Sequence, residues 1–142
     1  MQAQLNRPRS ERGQSLTEMA LSMTILLILL GGVVDLGRAF FTYMALRDSV
    51  QEGALYGSIN PTLTQEIKNH VLNSSDRIQD LITNNDITVE LIGAACTGNS
   101  IRVRAVYANF PVTMPLMGTI LGRQTVSISA SVIDTILSPA CP

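Results

Sequence analysis

The sequence predicts an α+β protein in which one long N-terminal helix is followed by short helices and a three-stranded antiparallel sheet. Residues 19–34 carry no charged side chain, and the apolar spacing stays helical beyond them to residue 57. From Asp86 onward, apolar side chains instead alternate with polar ones in three separate stretches, as they do in strands. We therefore expect a transmembrane and stalk helix over residues 14–57 and a small domain over residues 58–142.

Composition excludes several classes of protein. A chain of 142 residues has room for one folded unit, since domains usually span about 100–200 residues. A net charge of −1 and a single histidine, His70, lack the basic surface that nucleic-acid binding requires. No catalytic motif or metal-ligand spacing is present. We therefore expect no enzyme activity, cofactor, metal or nucleic-acid partner, and a solvated His70.

The apolar segment is predicted to cross a membrane, with lipid as its partner. Only Ser22 and Thr24 interrupt residues 19–34, and their hydroxyls bond back to the preceding helical turn. Sixteen residues span about 24 Å, so residues beyond them must complete a hydrocarbon core of ~30 Å. Asp35 and Arg38 then stand at the membrane boundary, where they either reach water or pair with each other.

The basic residues before this segment predict its orientation. Arg7, Arg9 and Arg12 oppose a single acid, Glu11, so the positive-inside rule keeps the N-terminus in the cytoplasm and exports the rest. Three interpretations remain open: a secretory signal peptide, a plain signal anchor, or a leader removed on the cytoplasmic side. Glu18 disfavours the first, because signal peptides place the apolar region directly after the basic one.

The stalk part of the helix has one apolar stripe that is expected to pack on the sheet. It consists of Leu36, Ala39 or Phe40, Tyr43, Leu46, Val50 and Ala54. Arg38, Thr42, Ser49 and Glu52 are expected on other faces of the helix. Gly53 and Gly57 would permit a close approach of the neighbouring element.

Turn residues divide the following domain. Asn60 and Pro61 are predicted to end the long helix. Two short helical pieces follow, over residues 64–73 and around residues 78–82. Strands are predicted near residues 87–91, 101–107 and 126–132, with loops over residues 93–100 and 111–122. Cys96 and Cys141 fit a disulfide formed in an oxidising compartment.

Residues 12–18 resemble the cleavage site of a type IV prepilin, with Gly13 before the cut and Glu18 fifth after it. The continuation is similar to the TadE-like proteins of the tight-adherence (Flp) pilus assembly system, through Asp35, Gly37 and Arg38 and then Glu52 and Gly53. Members of this family usually carry an aromatic residue where this chain has Met19.

The resemblance implies that a prepilin peptidase cuts between Gly13 and Gln14 and discards a leader of residues 1–13. Glycine suits this position because a backbone without a Cβ extends readily towards a protease. The resemblance also implies that Glu18 pairs with the new amino terminus of a neighbouring subunit. The membrane helix would stay attached to the mature protein.

The implied function is that of a pseudopilin, a structural or assembly component of a type IVb tight-adherence pilus or a related secretion apparatus. Its implied partners are the prepilin peptidase, other pilins or pseudopilins and the inner-membrane assembly platform. Its implied place is the bacterial cytoplasmic membrane, with an extracytoplasmic C-terminal domain. The alternative is a signal-anchored single-pass protein whose small extracytoplasmic domain binds or senses something unrelated to pili.

Overall fold

A single long helix forms most of the N-terminal two fifths of the chain. The computed structural model describes residues 11–114, 118 and 122–141, so that Arg7 and Arg9 of the predicted leader lie outside the described residues. Helix α1 extends over Glu11–Ile59. It stops where predicted, since the amide of Asn60 donates the last helical bond to Tyr56 at 3.1 Å and Pro61 has no amide hydrogen to continue the ladder.

Two short helices follow the stop. Helix α2 spans Thr64–Asn73 and helix α3 spans Asp76–Leu81, in agreement with the two predicted helical pieces. A 3₁₀ turn over Asn84–Asp86 leads into the sheet. Its Asp86 carboxylate accepts hydrogen bonds from the amide and hydroxyl of Thr83, both at 2.8 Å, which satisfies the otherwise unpaired start of the turn.

Three antiparallel strands form one sheet in the order β1-β2-β3. Strand β1 covers Ile87–Ile92, strand β2 Ser100–Pro111 and strand β3 Thr125–Thr135. Val103 stands opposite Val89 on one side and Val132 on the other, so that one face of the sheet is apolar. The predicted α+β class is confirmed.

The C-terminal half of α1 packs against β2, β3 and α2 around this apolar face. Strand β2 runs antiparallel to α1, so that Ile101 lies beside Gly57 and Phe110 lies beside Arg38. The fully buried side chains come from every layer: Leu46, Val50 and Ala54 from α1, Ile67, Val71 and Ile78 from the short helices, and Ile101, Val103 and Ile136 from the sheet and the segment after it.

The predicted packing stripe of α1 is wrong in its N-terminal half. Leu46, Val50 and Ala54 are buried as expected, but Leu36, Phe40 and Tyr43 are 71%, 58% and 41% exposed. Thr42 and Ser49, which were placed on other faces, are buried. Apolarity alone defines the predicted stripe, whereas the folded domain covers a polar strip of the helix that contains Asp35, Thr42 and Ser49.

The buried hydroxyl of Ser49 has hydrogen-bond partners. The hydroxyl of Ser49 donates to the carbonyl of Ala45 at 2.8 Å, one helical turn back. It also accepts a bond of 2.7 Å from the hydroxyl of Ser74, which follows α2. These bonds avoid the desolvation cost of burying a hydroxyl without a partner. The bond between Ser49 and Ser74 also joins α1 to the end of α2.

A disulfide closes the end of the domain that lies farthest from the start of α1. Cys96, in the loop between β1 and β2, is bonded to Cys141. Nearby, the amide of Leu137 donates to the carbonyl of Ser58 at 2.8 Å and ties the C-terminal segment to the end of α1. The predicted disulfide is thus present in the structure.

Candidate functional site

The residues singled out from the sequence lie at three levels of helix α1. Gly13, Gln14 and Glu18 lie at its start, Asp35, Gly37 and Arg38 near its middle, and Glu52 and Gly53 near its end. With 1.5 Å per residue, Asp35 lies about 25 Å from both Glu18 and Glu52. They are therefore separate features along one axis rather than one site.

The predicted cleavage point lies within the first helical turns. Because α1 begins at Glu11, the Gly13–Gln14 bond is helical rather than extended, contrary to the reason given for glycine at this position. The first amide groups of a helix lack intrahelical acceptors, so this turn unwinds at low cost. Gly13, Gln14 and Glu18 are all exposed, and a Cβ at Gly13 would meet nothing within 4 Å.

The middle group is a built site centred on the buried carboxylate of Asp35. One carboxylate oxygen accepts the hydroxyl of Thr113 at 2.5 Å and the guanidinium of Arg38 at 3.2 Å. The other accepts the backbone amide of Met114 at 2.6 Å. Only 6% of Asp35 remains exposed. Three donors therefore replace the water that an ionised carboxylate requires.

Arg38 completes this group from the next helical turn. Its guanidinium lies 5.5 Å from the ring centre of Phe110, near the end of β2, as well as beside Asp35. The i,i+3 pairing allowed by the sequence is thus what the structure adopts. Together these contacts join α1 to the end of β2 and to the start of the connection between β2 and β3. We call the group formed by Asp35, Arg38, Thr113 and Met114 the Asp35 clamp.

Thr113 and Met114 are the site residues that the sequence did not indicate. They lie 78 and 79 positions from Asp35 along the chain, in a stretch predicted only as a loop or a short turn of helix. Residues 115–117 and 119–121 of that stretch lie outside the described residues. A buried acid next to an arginine at a membrane boundary was the one available signal that further donors were needed.

The apolar half of α1 is uncovered except on one face. From Gly13 to Val34 every residue is exposed apart from Ile28, Gly31 and Gly32. These three share a helical face with Asp35. A Cβ at Gly32 would lie 3.6 Å from the sulfur of Met114. The chain beyond β2 therefore reaches past the Asp35 clamp towards the N-terminus of α1.

The other motif residues have different surroundings. A Cβ at Gly37 would meet nothing within 4 Å, whereas one at Gly53 would collide with Val71 and approach the carbonyl of Ile67 at 3.2 Å. Glu52 is exposed. Gly53 thus serves helix packing inside the molecule, and Gly37 leaves its part of the surface open.

The only histidine of the chain has a packing contact. His70 is half-buried and stacks on Tyr56, with ring centres 4.0 Å apart and planes 24° from parallel, so the expectation of a solvated histidine is wrong. Among the described residues, no three His, Cys, Asp or Glu side chains come together in a way that could hold a metal ion.

One helix of the described chain, Gly13–Ile59, is long and apolar enough to cross a membrane, as a membrane anchor must be. No curated protein and no solved structure matches the chain. The family model described as TadE-like protein matches residues 13–55. The match begins at the predicted cleavage point and contains Glu18, the Asp35–Arg38 pair and Gly53. In residues 13–55 the chain is therefore similar to TadE-like proteins, the family that its sequence resembles, and that family implies association with a Tad pilus system.

Proposed function

We propose that the protein is a pseudopilin-type structural component of a tight-adherence pilus or a related secretion apparatus. A prepilin peptidase cuts it after Gly13, and it acts without catalysis of its own. The observation that carries the proposal is the state of α1 over residues 13–34, which are exposed except at Ile28, Gly31 and Gly32, are mostly apolar and contain Glu18 as their one acid.

Such a surface requires lipid or other helices around it. Leu26, Leu29, Leu30 and Val33 are each 60% exposed or more, and a continuous apolar surface of this size marks a membrane or protein contact. In the proposal, lipid surrounds the helix first, and the helices of other pilins or pseudopilins replace the lipid when the protein joins the assembly platform.

Glu18 would give α1 a specific ion-pair partner when the helices of other subunits replace the lipid around it. Cleavage after Gly13 creates a new amino group on Gln14, one helical turn before Glu18. A carboxylate near the start of a helix also interacts favourably with the helix dipole. A neighbouring subunit's amino terminus would neutralise Glu18 in apolar surroundings, where an unpaired carboxylate costs several kcal/mol.

The test of cleavage is the N-terminal residue of the protein purified from native membranes. We expect mass spectrometry to find Gln14 as the terminus, and the uncleaved chain to accumulate in a Gly13→Leu variant. Because a side chain at Gly13 meets open space, that variant should leave the domain folded. A native protein that retains Met1 would contradict the proposal and support the signal-anchored alternative.

The test of pairing compares Glu18→Gln and Glu18→Ala with Asp48→Asn, which alters an exposed acid on the same helix outside the apolar segment. We expect both Glu18 variants to reach the membrane but not to co-purify with the other assembly components. Asp48→Asn should co-purify normally. Normal incorporation of both Glu18 variants would refute an ion-pair role.

A further inference from the structure

We propose that a cavity between α1, α3 and the end of β2 binds the phosphate group of an anionic phospholipid. Arg38 of α1 and Arg77 of α3 both line this cavity, which has a volume of about 120 Å³. The site rests on the membrane anchoring of α1 that the proposed function includes, and it adds a headgroup contact made by the folded domain.

The cavity lies at the level along α1 where lipid headgroups are expected. A hydrocarbon core of ~30 Å needs about 20 helical residues, so a span that begins at Met19 ends near Arg38. Because β2 runs antiparallel to α1, Phe110 near the end of that strand lies beside Arg38, and both residues line the cavity. A lipid whose acyl chains cover the apolar half of α1 therefore places its phosphate at this depth.

The charge of the cavity matches that of one phosphodiester group. Arg38 is paired with the carboxylate of Asp35 at 3.2 Å, and this pair is neutral as a whole. Arg77 is exposed and makes no ion pair with a described residue. No acid is among the described residues that line the cavity. The positive charge of Arg77 thus balances the negative charge of phosphatidylglycerol, whereas phosphatidylcholine already offsets its phosphate with a cation of its own.

Arg38 is held in place for such a contact. Its guanidinium lies beside Asp35 and 5.5 Å from the ring centre of Phe110, so it loses little side-chain freedom when it binds a further group. One of its nitrogens donates to Asp35 and Thr113. A guanidinium has five N–H donors in a planar fork that suits phosphate oxygens, so donors remain for a ligand.

Two residues with hydroxyl groups, Thr42 and Tyr107, line the same cavity. Thr42 is only 3% exposed. No described residue accepts a hydrogen bond from its hydroxyl, whereas the hydroxyls of Thr24 and Ser49 bond to the preceding helical turn. A buried hydroxyl without a partner costs free energy, and a phosphate oxygen would accept from it. The cavity is smaller than the ~300–1,000 Å³ pockets that hold drug-sized ligands, which favours a small anionic group.

Lipid binding by the full chain tests the site. The protein in neutral detergent is titrated with phosphatidylglycerol or phosphatidylcholine, and native mass spectrometry measures the bound lipid. We expect a preference for phosphatidylglycerol that Arg77→Gln weakens by roughly tenfold, the effect of losing a hydrogen bond between charged groups. Arg47→Gln is the matched control, because it removes an exposed arginine of α1 that lies outside the cavity. It should bind phosphatidylglycerol as the unaltered protein does.

Thr42→Val separates binding from folding. Valine keeps the shape of the threonine side chain and lacks only the hydroxyl. We expect the midpoint of thermal unfolding in detergent without added lipid to stay unchanged, and phosphatidylglycerol to bind more weakly. A lower midpoint without lipid would show that the hydroxyl serves the fold, and would overturn its assignment to the site.

Soluble competitors identify the source of the phosphate. We expect neither inorganic phosphate nor glycerophosphoglycerol, the headgroup without acyl chains, to displace the lipid when added at the concentration at which the lipid saturates the site. Displacement by either would assign the cavity to a soluble anion and overturn a lipid site. Equal binding of the two lipids, or full binding of phosphatidylglycerol by Arg77→Gln, would also overturn it.

Flotation of the unaltered protein with phosphatidylcholine vesicles tests the anchoring of α1 by itself. If the protein floats with these vesicles but shows no preference for phosphatidylglycerol in detergent, α1 is anchored and only the headgroup site is wrong. If the protein stays in the aqueous fraction, the membrane anchoring on which both proposals depend is wrong.

Discussion

At the scale of single residues, Asp35 is a buried acid whose hydrogen bonds hold two distant parts of the chain together. Its carboxylate is almost inaccessible and accepts hydrogen bonds from a side chain, a backbone amide and a guanidinium. Removing one partner from a buried charged group is expensive, because the remaining group is left without solvation. Asp35 is therefore expected to fix where the connection after β2 lies.

We predict that Asp35→Asn releases that connection. Thr113 and Met114 donate to different oxygens of the carboxylate, and asparagine replaces one of these oxygens by an NH₂ group, which cannot accept. One donor therefore loses its partner, at a cost of about 1.5–3 kcal/mol for a bond to a charged group. Trypsin cuts after Arg123 in molecules whose connection has detached from α1, and the loss of about 1.5–3 kcal/mol raises the population of such molecules by roughly 10–150-fold. Cleavage in detergent should accelerate by the same factor.

Arg38→Ala is the matched comparison for this change. The guanidinium is half-exposed in the ion pair, so its removal should cost only about 0.2–1 kcal/mol and should accelerate cleavage after Arg123 much less. Equal cleavage rates in Asp35→Asn and the unaltered protein would show that the carboxylate does not hold the connection.

The residue scale also shows where prediction from sequence stops. The pairing of Asp35 with Arg38 could be predicted from their spacing on a helix. The disulfide could be predicted because Cys96 and Cys141 are the two cysteines of the sequence. Thr113 could not be assigned to Asp35, because nothing in a threonine's local sequence encodes a partner 78 positions away.

At the scale of elements, the C-terminal part of α1 is covered by the domain and its N-terminal part is largely exposed. This difference explains why its burial pattern could be predicted only in part. Near its C-terminal end, where only the domain covers it, Leu46, Val50 and Ala54 are the buried residues that an amphipathic pattern requires. Next to the apolar half of α1, apolar side chains such as Phe40 are exposed, so hydrophobicity no longer distinguishes the face that packs on the domain. The three strands lie where their alternating pattern predicted them, because only one face of the sheet is covered by other elements.

The two glycines of the family motif provide a test of helix packing. In Gly53→Ala the new methyl group would overlap Val71 and crowd the carbonyl of Ile67, so we predict a loss of about 1–3 kcal/mol, as expected for overpacking. In Gly37→Ala the methyl group meets open space, and the gain in helix propensity, up to about 1 kcal/mol, should dominate.

Thermal unfolding followed by circular dichroism measures both variants in detergent. A Gly53→Ala protein as stable as the unaltered chain would mean that α1 and α2 do not pack as closely as the structure shows. A Gly37→Ala protein that is stable but fails to join the pilus components would instead show that Gly37 contacts a partner.

At the scale of the whole molecule, one axis organises every feature. The exposed apolar helix and Glu18 lie at one end, the Asp35 clamp lies at the junction with the domain, and the disulfide lies at the other end. The disulfide links residues 45 positions apart and holds the C-terminal segment next to the end of α1. The domain is thereby closed at the end that lies farthest from the apolar half of α1.

We predict that replacing both cysteines by serine lowers the free energy of unfolding by about 4 kcal/mol, the chain-entropy value for a closed loop of this length. The midpoint of urea unfolding in detergent, read by circular dichroism, measures the change. Reduction of the unaltered protein should reproduce it. The hydroxyl of Thr97 donates to the carbonyls of Leu137 and Pro139, and the amide of Leu137 donates to Ser58. An unchanged midpoint in both cases would mean that these hydrogen bonds hold this end of the domain without the disulfide.

The same disulfide reports on the orientation of the chain in the membrane. Structural disulfides form and persist in oxidising compartments and are rare in the cytoplasm, so an exported domain should contain no free thiol in intact cells. We predict that a mass-tagged maleimide added to acid-quenched, denatured cells leaves the protein unshifted, and that prior reduction produces a shift of two tags. Cys96→Ser is the control, because its single remaining Cys141 should react without reduction. Two tags on the unaltered, unreduced protein would place the domain in the reducing cytoplasm and contradict the orientation that Arg7, Arg9 and Arg12 predict.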